Sequence, residues 1–438
     1  MLIPTSRVHT LTPVTSWWSR LGLVLASAAW CASCGGDSAA SCEDAACPAG
    51  WVCGAKGCEP LPPAPSTGDL GRFTSSALTS DGRLLVATYD ETHGNLIVSA
   101  EQEDGRDALQ PVDGWRVEGG SLIDTDSGRW TALAVDQQDN AHLAWFDVDG
   151  GQLRYARASR AAGWQDWSVE VVDGTGPEVR GTHASIAVAQ GIVYLAYRDE
   201  TARQLRYARR DADGTWTSRT IDGCAGEAAC PEAGLEDYGE WARIAIIGQR
   251  PRIAFYDRLR GDLKMASRTE IGAWVTTTLD GRDLATDVDT GDVGRFISLA
   301  LTPERHPALA YYDVSRGALR YLVPGSDPLV VDAGVRQDEA RGAKRSDPVG
   351  EHAALRFDAR GRAIVLYLDG GTPAVKMAVI AAGKVVATHS LDGLAPGAFF
   401  SFDAYGDGQL RGAYGAWIDG EAPRTRLVRF LIPIYTTR

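Results

Sequence analysis

The feature that most constrains this chain is an aspartate that closes a hydrophobic run again and again. It stands at Asp90, Asp147, Asp199, Asp257, Asp313, Asp369 and Asp419, with spacings of 50 to 58 residues. Six residues after each of the first six comes Leu96, Leu153, Leu205, Leu263, Leu319 or Val375. Two further on comes Val98, Tyr155, Tyr207, Met265, Tyr321 or Met377. A gap held constant through six copies marks one supersecondary unit used repeatedly, which decides the fold before any local propensity does. The seventh copy keeps Trp417-Ile-Asp419 but reaches Leu427 only after a longer loop.

Inside each unit the residues alternate as strands do. In 152–159, Leu153, Tyr155 and Arg157 share one face while Arg154 and Ala156 share the other. Asp-Gly and other Gly-rich pairs separate the runs. A fourth run follows in most copies, as at 167–174, 216–223 and 274–281. Four short strands per unit and seven units predict an all-β fold, a seven-bladed β-propeller of four-stranded blades over residues 70–438. Each unit can bury its apolar faces only against its neighbours, so the array has to close. The last unit shows no clear fourth strand, and Leu70–Thr74 and Ile434–Arg438 are the candidates to supply one.

Residues 1–33 read as an export signal. Arg7 and Arg20 provide positive charge, and Leu21–Trp30 is an apolar run too short to span a bilayer. The following Cys31-Ala-Ser-Cys34-Gly-Gly-Asp resembles a bacterial lipobox, with small residues ahead of Cys34. It departs from that pattern in carrying Cys31 where leucine is usual, and an ordinary secretory signal is the alternative. Cleavage before Cys34 would free its thiol for lipid attachment, and Gly35 after it points to the outer membrane. Residues 34–59 then form a small cysteine-rich module and residues 60–69 a proline-rich linker.

With Cys31 removed and Cys34 lipidated, Cys42, Cys47, Cys53, Cys58, Cys224 and Cys230 remain, an even number. The first four predict a disulfide-rich module whose pairing the spacing leaves open. Zinc is the rival, but the spacings lack the usual CxxC knuckle. Cys224 and Cys230 are expected to pin one excursion between blades. A net charge of -13 with no basic stripe argues against nucleic acid and against direct binding to anionic lipid. Membrane contact is expected through the lipid anchor only, and the chain is expected to be a monomer.

The copies at Trp130–Ala156 and Phe296–Tyr321 resemble a tandem repeat common in secreted bacterial proteins. The matching residues include Asn140-Ala-His142-Leu-Ala-Trp-Phe-Asp147 and His306-Pro307-Ala-Leu-Ala-Tyr-Tyr-Asp313. The resemblance spans residues 70–438. It implies a β-propeller and no particular activity.

A second motif, Gly-x-aromatic or Gly-x-His, opens every unit. Its members are Gly71-Arg72-Phe73, Gly128-Arg129-Trp130, Gly181-Thr182-His183, Gly239-Glu240-Trp241, Gly294-Arg295-Phe296, Gly350-Glu351-His352 and Gly397-Ala398-Phe399. First strands of blades line the channel, so these residues should ring one mouth. Arg72, Phe73, Arg129, Trp130, His183, Trp241, Arg295, Phe296, His352 and Phe399 are the candidate ligand-binding set, because aromatic faces beside charges suit a sugar or a peptide end. The competing reading is that each ring wedges between blades and its glycine permits a tight entry turn.

The recurrent aspartates read as turn caps rather than as acid–base groups. Arg154, Arg206, Lys264, Arg320 and Lys376 in the third strands read as a solvated face. The acidic stretches 124–128 and 287–292 read as turns ahead of calcium sites, since they lack the EF-hand spacing. No catalytic, metal or cofactor motif is present: HExxH, GxSxG and phosphate-cradling loops are all absent. Asp213-Gly-Thr-Trp216 is only a shortened form of the sialidase Asp box. The expected function is a non-catalytic binding or scaffolding propeller on an outer-membrane lipoprotein, with a carbohydrate or envelope protein as partner. The alternative is a glycosidase or sialidase-like hydrolase on the same scaffold.

Overall fold

The computed structural model describes residues 7–10, 51–54, 57–60, 68–118, 121–221, 237–338, 343–406, 408–418 and 421–434. The chain forms seven four-stranded antiparallel sheets, each laid down from the inner strand outward. In blade 1 these strands are Leu70–Leu78, Leu84–Asp90, Asn95–Glu101 and Asp107–Asp113. Blades 2 to 6 repeat the order, beginning at Ser127, Arg180, Tyr238, Val293 and Val349. This is the predicted seven-bladed propeller.

Blade 7 is assembled from both ends of the chain. Gly397–Tyr405, Gln409–Ile418 and Glu421–Pro433 are its first three strands, and Arg7–Thr10 is the fourth. Arg7 stands opposite Leu431 and Thr10 opposite Val428. This corrects the first candidate named above, while of the second, Ile434–Arg438, residues 435–438 lie outside the described residues. Leu70–Thr74 belongs to the inner strand of blade 1, where Leu70 pairs with Asp90. The seam between blades 7 and 1 carries its own ties. Arg411 bonds Glu101 at 2.6 Å, Arg429 pairs with Asp107, and the Ser401 hydroxyl accepts the Ser76 N–H at 2.8 Å.

The apolar cores lie between blades rather than within them. One cluster joins Leu96, Val98 and Leu85 of blade 1 to Leu143 and Trp145 of blade 2. Another joins Leu366 and Met377 of blade 6 to Phe402 and Leu410 of blade 7. Every junction around the ring has such a cluster among the described residues. The second strands are therefore covered on both faces, and Leu84–Asp90, Ala141–Asp147 and Ala363–Asp369 are buried at every position.

Polar clasps hold the same junctions. Asp173, ending blade 2, accepts the Tyr197 hydroxyl at 2.5 Å and Arg206 Nε at 2.9 Å, both from blade 3. Asp113 does the same for Trp145 and Arg154, Asp280 for Tyr311 and Arg320, and Asp332 for Tyr367 and Lys376. Arg154, Arg320 and Lys376 also reach the recurrent aspartate of their own blade, Asp147, Asp313 or Asp369. Lys264 pairs with Asp257 at 2.9 Å. These basic residues are thus half-buried bridges, with Lys264 fully buried, which corrects the solvated-face reading. The turn-cap reading of the aspartates holds: Asp313 accepts the Arg316 N–H at 3.0 Å and Asp199 the Ala202 N–H at 2.8 Å.

Of the cysteine-rich module, one hairpin is described, Trp51–Gly54 with Gly57–Pro60, whose register sets Cys53 opposite Cys58. Cys34, Cys42, Cys47, Cys224, Cys230 and residues 61–67 of the linker lie outside the described residues, as does Asp419.

Candidate functional site at the propeller axis

Each inner strand breaks register just where the Gly-x-aromatic motif falls. In blade 2 the pairing jumps from Arg129↔Phe146 to Ala132↔Ala144, and blades 1 and 3 to 6 do the same. Blade 7 shifts between Ala398 and Ser401. At the bulge the ring residue takes a left-handed backbone: Phe73, Trp130, His183, Trp241, Phe296, His352 and Phe399 all have φ between 50 and 58°. Left-handed φ is uncommon for non-glycine residues, and its sevenfold recurrence is a built feature. It turns each side chain out of the sheet plane and into the axis.

There the rings close on one another. Going round, centroid separations are 4.9 Å for Phe73–Trp130, 3.8 Å for Trp130–His183 and 5.3 Å for His183–Trp241. They continue at 4.3 Å for Trp241–Phe296, 4.6 Å for Phe296–His352, 4.7 Å for His352–Phe399 and 5.1 Å for Phe399–Phe73. The expected aromatic ring is present, but its members meet each other across the channel instead of standing open as a rim. They form a plug of tilted and edge-to-face contacts.

The two histidines are neutral members of that plug. His183 Nδ1 accepts the Trp241 backbone N–H at 3.0 Å, which leaves the proton on Nε2. Burial, helped by the charges of Arg198 and Arg243, holds its pKa well below the usual imidazole range. Burial alone lowers His352 to about 4.

The charged residue beside each ring is mostly consumed. Arg72 pairs with Glu91 at 2.7 Å. Arg129 pairs with Asp126 at 2.6 Å and lies over the Tyr89 ring, whose hydroxyl donates to the same aspartate. Arg295, Asp292 and Tyr256 repeat that triad in the next-but-two blade. Burial pushes both tyrosines up to about 12. Asp126 and Asp292, from the acidic loops, are thereby committed to the protein's own groups. Glu240 pairs with Arg258 at 3.1 Å. Glu351 stands apart, with no ion-pair partner among the described residues and a pKa raised by burial. The three arginines are therefore held separately and do not converge as a carboxylate clamp.

The face that carries the ring is the elaborated one. Strands alternate in direction, so connections from an outer strand to the next inner strand emerge beside the motif. Among the described residues three of these connections carry hairpins: Trp115–Glu118 with Ser121–Asp124, Arg282–Asp283 with Val288–Asp289, and Val335–Asp338 with Ala343–Ser346. Val117, Leu284, Val288 and Val335 on them are more than half exposed. Asp213–Trp216, the shortened Asp box, runs from a turn on the opposite face into the strand Trp216–Thr220, and Asp213 accepts the Thr215 N–H.

Beneath the plug lies a cavity of about 520 Å³ bounded by the inner strands. Ser75, Ser185, Ser298 and Ser401 line it two residues past the ring position, with Arg243 at the same place in blade 4 and Arg356 two further along in blade 6. The motif scan missed these arginines. The signal available was a charge at inner-strand registers held by serine or alanine elsewhere, save for Asp403 at the register of Arg356.

No family model matches the sequence, and no curated protein matches it. Solved structures resemble it in fold. One is a puromycin hydrolase, at TM-score 0.50 and 12% identity, over 84% of this chain and 54% of that one. A protein of unknown function from Dyadobacter fermentans matches at TM-score 0.48 and 9% identity, over 84% and 96%. A polysaccharide lyase matches at TM-score 0.45 and 12% identity, over 86% and 92%. At such identities the likeness is one of fold alone.

Proposed function

We propose that this chain is a non-catalytic binding or scaffolding propeller of the cell envelope, which docks a carbohydrate or protein partner on its ring-bearing face. The supporting observation is the one-sided elaboration of that face. Its hairpins expose Val117, Leu284 and Val288 on the face that also carries the aromatic plug. Apolar anchors surrounded by paired charges are what a specific interface is made of. The resemblance of its repeat to one common in secreted bacterial proteins supports the envelope location.

The test is binding by the full chain to a glycan array and to solubilised envelope proteins, compared with Val117→Asp and Leu284→Asp. Both positions are exposed, so folding should persist while binding falls at least about tenfold. Unchanged binding in both variants would remove the hairpins from the site.

Export as a lipoprotein is part of the same proposal, with Cys34 as the attachment point and disulfides among the other cysteines. Cleavage there would take Arg7–Thr10 away and leave the edge of Glu421–Pro433 unpaired. Mass spectrometry of the mature N-terminus decides between the two states of blade 7. A lipidated Cys34 means a three-stranded last blade, and an intact N-terminus refutes the anchor.

One observation favours the hydrolase reading, the elevated and unpaired Glu351. A glycosidase needs a second carboxylate roughly 5–10 Å away. The neighbouring acids Glu240 and Asp292 are held in ion pairs. Glycoside hydrolysis that Glu351→Gln abolishes would establish this reading instead.

A further inference from the structure

The cavity beneath the aromatic plug has an unusual balance of polar groups. Arg243 projects into it from blade 4 and donates to the carbonyl of Ala242 at 2.8 Å. Among the described residues no carboxylate pairs with it. Arg356 enters from blade 6, held by Asp403 at 2.8 Å and by the Leu355 carbonyl at 2.8 Å. The two guanidinium groups feel one another: burial, and then the charge of Arg356, brings Arg243 down to about 10. A guanidinium has thus been placed in a confined space beside a like charge.

The serines add to the imbalance. Ser75, Ser185 and Ser298 each accept a backbone N–H from the following blade, from Leu133 at 3.0 Å, Ile244 at 3.1 Å and Leu355 at 2.9 Å. With an oxygen so engaged, each hydroxyl still has its hydrogen to give, and no acceptor takes it among the described residues. The cavity wall therefore offers donors and positive charge, while the Asp403 carboxylate beside it is already bound to Arg356. The rings of Phe73, Trp130, Trp241, Phe296, His352 and Phe399 bound the space and keep the dielectric low, which strengthens attraction to an opposite charge.

We propose that this axial cavity is a binding site for a small oxyanion, a molecule presenting a carboxylate or phosphate group, with Arg243 as its principal ligand. A guanidinium offers parallel N–H donors that match two oxygens of either group. The free Nε and Nη2 edge of Arg243 supplies that fork, and the serine hydroxyls reach the remaining lone pairs. The plug closes the mouth above, so the anion enters from the opposite face. This site goes beyond the macromolecular docking proposed for the ring-bearing face and does not depend on it.

The experiment is calorimetric titration of the full chain in a low-salt, anion-poor buffer, with inorganic phosphate in one arm and acetate in the other. Saturable binding of at least one probe is expected, weakened about tenfold or more in Arg243→Gln. A thermal melt separates this from a structural role. In the absence of anion, Arg243→Gln should melt at the same temperature as wild type or higher, because an unpaired buried charge has gone. The rise in Tm that the probe gives wild type should vanish in the variant. If Arg243→Gln does not fold, Arg356→Gln reads the same loss from the other side of the cavity. No saturable binding of either probe by wild type, or equal binding by a folded variant, overturns the proposal. Preference for phosphate over acetate, or the reverse, tells the two ligand classes apart.

Discussion

The Tyr311 hydroxyl of blade 5 donates at 2.6 Å to Asp280, the last residue of blade 4's outer strand. Arg320 donates to the same oxygen at 2.8 Å and continues to Asp313 at 2.7 Å, so one carboxylate holds two donors of the next blade. Removing the acceptor and removing a donor should then differ. Asp280→Ala strands a buried hydroxyl and one edge of the half-buried Arg320 guanidinium, and is expected to cost roughly 2–4 kcal/mol. Tyr311→Phe leaves the Arg320–Asp280 pair intact and should cost about 1 kcal/mol. Urea unfolding of both variants measures the gap, and equal costs would mean that the clasp does not hold the junction.

Gly294 sits at φ 108° with the third strand of blade 4 directly against it; a Cβ there would lie 2.9 Å from Leu263 Cβ. Gly294→Ala therefore meets both a disfavoured backbone and a neighbouring strand that has to move, and should cost about 2–4 kcal/mol. Gly105 is the control, since it has φ 75° and nothing within 4 Å. Gly105→Ala should cost only about 1 kcal/mol. Thermal melts followed by circular dichroism would show whether the second cost, from blade packing, exists.

The same contact shows what could be read from sequence. Both partners were visible as repeats, the leucine six residues past the aspartate and the glycine opening the next unit. That they touch was not visible, because the contact crosses from one unit to the next, as Gly128 does onto Leu96 and Gly350 onto Leu319. Alternation misled for Arg154 and Arg320 for a related reason. Period-two reasoning assumes one wet face, but a propeller blade is covered on both, so a residue opposite the apolar set still meets a neighbour. The ring was legible as composition and position. Its closure was not, since that depends on a left-handed bulge that no residue type announces. Arg7–Thr10 is too short a strand for any periodicity to mark.

Asp262 is a buried carboxylate, its side chain 1% exposed, with Arg282 Nε at 3.8 Å. Neither of its oxygens has a hydrogen-bond partner. Burial, with the charge of Asp257 adding to it, lifts its pKa to about 6. A folded-state pKa above the unfolded value means that the native state holds the proton more tightly. Stability should thus fall as pH rises from about 4 to above 6, by roughly 1–3 kcal/mol from this group. Asp262→Asn removes the charge, and Asn95 fills the matching position of blade 1. The variant should be the more stable protein at pH 7.5 and should lose this part of the pH slope. A variant no more stable than wild type at pH 7.5 would show that the ionised carboxylate is accommodated.

The two ring histidines should part company under substitution, although they occupy equivalent bulges. His352 touches Phe296 and Phe399 and has its pKa lowered to about 4 by burial. A base whose folded pKa lies below its unfolded value gives stability that is complete above about pH 6.5 and declines as pH falls toward 4. The loss at pH 4 should be on the order of 3 kcal/mol. Phenylalanine already occupies the corresponding bulge in blades 1, 5 and 7, so His352→Phe should leave stability at pH 7 within about 1 kcal/mol and flatten the acid limb. His183 has a second task, since its Nδ1 accepts the Trp241 N–H. His183→Phe should also flatten the acid limb, but at pH 7 it strands that N–H and should cost about 1–3 kcal/mol. Unfolding midpoints of both variants at pH 7 and pH 4.5 test the distinction. If both variants are equally harmless at pH 7, the hydrogen bond to Trp241 contributes nothing and His183 is, like His352, only a ring that fills the plug.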